Sequence, residues 1–128
     1  MWPGKSAAGP ALAVRSTPIE PEETMPELEQ RVAHLGVDAV REAIGMLAAW
    51  DRTTPIGDVQ DPARATKAPR LKKADGEVNW TNSAEAIFNQ VRALKPWPGT
   101  YTHWKRQGGE PLRLILDRVA LSSVSAGD

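Results

Sequence analysis

The sequence predicts an α+β chain. Three observations carry that expectation. Apolar residues recur at helical spacing between Thr24 and Trp50, and the stretch from Thr53 to Lys73 has neither helical nor strand periodicity. After a second helical stripe, two strand-like runs follow, joined through Gly108-Gly109.

Composition sets the bounds. A chain of 128 residues has room for one modest domain or pieces of two, and its 11 prolines and 10 glycines imply long connections. Without cysteine there is no disulfide framework and no thiolate metal site, which fits a reducing cytoplasm. His34 and His103 do not make a multi-histidine centre by themselves, so no metal is expected. No apolar run approaches the roughly 18 residues of a membrane span, so no membrane partner is expected. The opening MWPGKSAAGPALAVR breaks its short apolar run at Pro10, which argues against export.

The formal net charge is zero, but it is unevenly spread. Residues 1–63 carry five Lys/Arg and ten Asp/Glu, whereas residues 64–128 carry eleven and six. Such asymmetry points to an acidic or nucleic-acid partner for the basic half, or to two oppositely biased solvated surfaces.

Taken in order, Ala13–Ile19 is a candidate edge strand whose pairing Pro18 limits. Thr24-Met25-Pro26-Glu27 reads as a helix start, with Thr24 capping the Glu27 amide and the Glu27 carboxylate reaching back. Leu28, Val32 and Leu35 form one apolar stripe, Gly36 interrupts, and Val37, Val40, Ile44 and Leu47 form another. This predicts two helical segments joined or kinked at Gly36. His34 reads as a surface or half-buried side chain rather than a ligand.

Thr53–Lys73 contains Pro55, Gly57, Pro62 and Pro69 and reads as a linker or functional loop. Arg64, Lys67, Arg70, Lys72 and Lys73 follow one another there with no intervening acid, and prolines keep such an arm extended. The chain then turns at Asp75-Gly76 and runs through a short strand-like Glu77–Trp80. Ser83 is a plausible N-cap for a helix with Ala84, Ile87, Val91 and Leu94 on one stripe, ended by Pro96. Arg92 and Lys95 complement its dipole, a structural role that competes evenly with contact to a ligand. Thr100–Lys105 and Pro111–Ala120 are the two strand candidates, and the tail SSVSAGD is expected to fray. These elements cover only one side of a sheet; a lone hairpin is marginal, and a barrel beginning this way needs further strands.

Read together, these residues carry a resemblance. Ala68-Pro69-Arg70-Leu71, Asp75-Gly76, Asn79-Trp80, Ser83-Ala84, Val91-Arg92-Ala93-Leu94 and Pro96-Trp97-Pro98-Gly99 resemble, in order and spacing, the linker and early C-terminal domain of methionyl-tRNA formyltransferases. Upstream, Thr17-Pro18-Ile19, Glu23-Thr24, Glu27-Leu28, Leu35-Gly36 and Gln60-Asp61 resemble the end of that family's catalytic domain. The register covers roughly residues 9–120.

The resemblance implies a Rossmann-like formyltransferase domain of which residues 1–52 are the tail end. It further implies a basic interdomain linker over 53–75 and the truncated start of an OB-like β-barrel over 76–128. It implies transfer of a formyl group from 10-formyltetrahydrofolate to initiator methionyl-tRNA in the cytoplasm, with the linker and second domain holding the tRNA. The family's catalytic Asn and His would lie upstream, and its Asp aligns with Ala7. No residue here therefore takes a catalytic role, no folate is bound by this chain, and the isolated chain is expected to be inactive. A missing catalytic half is a further implied partner. Alternatives are a fragment of a sugar-nucleotide formyltransferase or of a formyltetrahydrofolate enzyme, or a non-catalytic RNA-binding remnant.

The candidate tRNA contacts are Arg64, Lys67, Arg70, Lys72, Lys73, Arg92 and Trp97. Cations along an extended arm neutralise phosphates and release counterions; a solvated linker is the competing reading. Trp80 and Trp97 are expected chiefly as anchors packing the helix onto the sheet, with base stacking as the alternative. Trp104 is open between the two. His103 has no nucleophile at a recognisable spacing, and the glutamates of the first helix read as solubilising groups.

Overall fold

The computed structural model describes residues 9–122. Ala7 and the tail beyond Ser122 lie outside the described residues. The elements run as helix α1 (Met25–Ala49), 3-10 turns at Pro62–Arg64 and Lys73–Gly76, helix α2 (Ala84–Ala93), and strands β1 (Thr100–Trp104) and β2 (Leu112–Leu116). The chain is a small α+β arrangement that divides into two compact units, Met1–Pro18 with Gln30–Pro69 and Ile19–Glu29 with Arg70–Asp128.

In the first unit α1 runs without a break through Gly36, in place of two kinked segments. A mid-helix glycine costs about 1 kcal/mol relative to alanine, less than breaking the hydrogen-bond ladder on both sides of it. No strand forms over Ala13–Ile19. Ala11 makes a single antiparallel bridge with Asp58, each amide donating to the other's carbonyl at 2.8 Å. Gly57, at φ +82°, lets the chain approach there, since a Cβ would sit 2.7 Å from the Ala11 oxygen. Polar side chains hold the N-terminal segment against α1. Arg31 donates to the Pro18 carbonyl at 2.7 Å and to Thr17, and Arg15 pairs with Glu42. Beyond α1, the Asp51 carboxylate accepts from the amides of Thr53 and Thr54 and from the Thr54 hydroxyl. Those donors hold the Asp51 carboxyl well below the usual carboxylate range.

The second unit holds the buried apolar residues, Val78, Val91 and Leu94, with Thr100 only 2% exposed beside them. Ser83 caps α2 as expected, accepting from the Ala86 amide at 3.2 Å. The helix ends at Ala93, capped by Leu94, ahead of Pro96. β1 and β2 pair antiparallel, with Thr102 opposite Leu114, so Thr100, Thr102 and Trp104 share a face with Leu112, Leu114 and Leu116. Glu77–Trp80 contributes one parallel bridge, Glu77 to Tyr101, with the Val78 amide donating to the Tyr101 carbonyl at 2.8 Å. At the start of α1 the Glu27 carboxylate accepts from both the amide and the hydroxyl of Thr24. The carboxylate half of the expected capping box thus forms, while the threonine hydroxyl donates to it. The two donors lower the Glu27 pKa.

The tryptophans depart from their expected role. Trp80 is 63% and Trp97 49% exposed. A two-stranded sheet has no second layer to cover Trp80, whose indole N–H instead donates to the Thr102 hydroxyl at 2.8 Å. Trp97 sits between Pro96 and Pro98 in the turn leaving α2, outside the small core.

Candidate nucleic-acid interface

The local chemistry around the basic run explains its extension. Asp61 caps the Pro62–Arg64 turn by accepting from the Ala63 amide at 2.9 Å, and Arg64 ends that turn. Between the two 3-10 turns, residues 65–72 form no regular element, and every one of them is exposed. Proline at 69 removes a donor and biases Ala68 toward extended backbone. In the second unit, Asp75 accepts from the Lys72 amide at 2.6 Å and steadies the turn that carries Lys73.

Arg64 and Lys67 belong to the first unit, and Arg70, Lys72 and Lys73 to the second. All five are exposed, and none forms an ion pair with a described residue. Their side chains are solvated, the state in which a cation costs least to transfer onto a phosphate.

Arg92 is different. Its guanidinium donates to the carbonyls of Glu20 and Glu23 at 3.0 and 2.8 Å and to the Asn89 side chain at 2.8 Å, and it lies over the Phe88 ring. It also lines a cavity of 540 Å³ with Lys95, Arg118, Glu22, Glu27 and Asp117. Acids balance the cations there, and Lys95 is paired with Asp117 at 3.2 Å, so that cavity is a poor seat for phosphate. Trp97, Trp80 and Trp104 are all exposed to about half or more.

Both histidines have local partners: His34 is turned back on the Gln30 carbonyl of its own helix at 2.7 Å, and His103 faces the Glu77 carboxylate at 3.3 Å. Among the described residues no group of three or more His, Cys, Asp or Glu is placed to hold a metal ion, and no helix is long and apolar enough to cross a membrane.

Two residues escaped sequence reasoning. Gln90 donates from its amide to the carbonyls of both Asp75 and Glu77, at 3.0 and 3.1 Å, and so fixes the end of the basic run to α2. Arg113 lies over the Tyr101 ring at 3.9 Å. The cross-strand alternation could have suggested the second pair; nothing in the sequence marks the first.

Residues 70–126 match the family described as formyl transferase, C-terminal domain. More particularly, the chain is similar to methionyl-tRNA formyltransferases. That of Rhodopirellula baltica is 42% identical over 122 residues, 92% of this chain and 36% of the relative. Those of Solibacter usitatus and Geobacter sulfurreducens are 40% and 38% identical over 92% and 94% of the chain, again 36% of each relative. The chain thus spans about a third of the length of these relatives.

Proposed function

We propose that this chain is the tRNA-holding portion of a methionyl-tRNA formyltransferase, which transfers a formyl group from 10-formyltetrahydrofolate to initiator methionyl-tRNA in the cytoplasm. On this reading residues 1–52 end a Rossmann-like catalytic domain, 53–75 are the interdomain linker, and 76–128 begin an OB-like barrel. Arg64, Lys67, Arg70, Lys72 and Lys73 neutralise tRNA phosphates, which positions the RNA without reading its sequence. Trp97 supplies a stacking face for an unpaired base. Arg92 contributes by holding the Glu20–Glu23 segment on α2. Transfer chemistry belongs to a catalytic half that acts as partner to these residues.

The observation that carries the reading is the run of five exposed cations with no acid between them and no ion pair to a described residue. Filter binding of initiator tRNA at two salt concentrations tests it. Binding that weakens with a log–log slope of about −3 to −4.5 supports phosphate contact by the five. No binding at low salt, or binding indifferent to salt, contradicts it. A nucleotide sugar that displaces tRNA would redirect the reading to a sugar-nucleotide formyltransferase.

A further inference from the structure

The cations of the basic run are not all held alike. Lys72 and Lys73 enter the Lys73–Gly76 turn, which is fastened from several sides. The Asp75 carboxylate accepts from the Lys72 amide at 2.6 Å, and the Asp75 amide donates to the Lys72 carbonyl at 3.1 Å. Gln90, half-buried on α2, spans the turn: its amide donates to the Asp75 carbonyl at 3.0 Å and to the Glu77 carbonyl at 3.1 Å. Just beyond, the Val78 amide donates to the Tyr101 carbonyl at 2.8 Å. Every one of these contacts lies within residues 72–101, so none involves β2 or the chain after it.

Residues 65–70, by contrast, form no regular element, and Arg64 and Lys67 belong to the first unit. An extended arm loses backbone freedom when its cations settle on phosphates, whereas a turn already fixed loses little. Charge on a mobile arm raises the rate of encounter without setting where the partner comes to rest. Both N–H bonds of the Gln90 amide are engaged on the two carbonyls, and the side chain carries no charge. Any effect it has on a polyanion therefore passes through the lysines of the turn.

We propose that Gln90 is a positioning residue: by clamping the Asp75 and Glu77 carbonyls to α2, it presents Lys72 and Lys73 as a preset phosphate contact. Arg64 and Lys67 act by charge alone and do not depend on it. The proposal rests on the tRNA reading and deepens it, dividing the cations into those that attract the RNA and those that fix it in place.

Two measurements on the full chain test it. Without RNA, amide hydrogen exchange reads the clamp itself. The Asp75 and Glu77 amides should exchange at least about tenfold slower than those of Lys67 and Arg70, each relative to its unfolded rate. Gln90→Met keeps the side chain's length but has no donor, and should remove most of that difference. Equal rates in the unaltered chain overturn the proposal. The second measurement is a double-mutant cycle on retention of initiator tRNA at low salt. Gln90→Met should raise the dissociation constant about fivefold with the salt slope unchanged, because no cation is lost. It should add nothing in a chain already carrying Lys72→Ala and Lys73→Ala, and keep its full effect in one carrying Arg64→Ala and Lys67→Ala. A role in folding alone would weaken retention equally on both backgrounds; that result, or no effect of Gln90→Met on the unaltered chain, overturns the proposal. A chain that retains no tRNA defeats the tRNA reading and the proposal with it, whereas retention without the coupling defeats the positioning role alone.

Discussion

The carbonyl oxygen of Gly99 occupies the place where Gly76 would carry a side chain: a Cβ on Gly76 would lie 2.1 Å from it. The end of the Lys73–Gly76 turn is thereby pressed against the start of β1, and the approach is open only to glycine. Gly76→Ala is expected to destabilise the chain by about 2–3 kcal/mol, read from the urea midpoint. Gly109→Ala, whose Cβ would meet only the Arg106 guanidinium at 3.9 Å, stays within about 0.5 kcal/mol.

Gln90 fastens the same turn from the other side. Gln90→Glu replaces an amide donor with a carboxylate oxygen facing the carbonyls of Asp75 and Glu77. A loss of about 2 kcal/mol is expected at neutral pH. The loss shrinks in mild acid, where the protonated side chain can donate once more. A loss that does not change with pH would contradict the hydrogen-bond account.

Much of this unit was legible beforehand, for reasons that lie in local chemistry. Ser83 before an apolar stripe, the proline beyond α2 and the alternation of Leu112, Leu114 and Leu116 act over a few residues; α2 and β1 form where expected, while β2 stops at Leu116, short of the expected Pro111–Ala120. The misreadings are tertiary. Whether Gly36 kinks a helix depends on what packs there, and nothing lies within 4 Å of the space a Cβ would fill. Trp80 and Trp97 were expected inside because large aromatics gain most from burial, yet the sheet offers them no second layer. The basic run is visible as charge, but that its five side chains form no ion pair with a described residue depends on the fold.

Arg92 separates anchoring from phosphate contact. Arg92→Lys keeps the charge but loses the fork that reaches the carbonyls of Glu20 and Glu23. A loss of about 1–2 kcal/mol in unfolding free energy is expected, with the salt slope of tRNA binding unchanged. A lower slope without a stability change would make Arg92 a direct phosphate contact.

The two lowered carboxyl pKa values give the turn entering α1 and the loop leaving it a pH dependence. Glu27 and Asp51 are both stabilised as carboxylates by donors from Thr24 and from Thr53 and Thr54. Their folded pKa values lie below the unfolded ones. Their contribution is therefore complete above the ordinary carboxylate range and is lost as pH falls through the lowered values. Acid titration of the helical signal should show this loss, and Glu27→Gln together with Asp51→Asn should flatten it.

The central claim is that the run from Arg64 to Lys73 grips the tRNA backbone. The most direct measurement is retention of initiator tRNA by the chain with Arg64, Lys67, Arg70, Lys72 and Lys73 all changed to Glu, compared with the unaltered chain at low salt. The account predicts that retention is lost while the helical signal persists. Retention equal to that of the unaltered chain would contradict it.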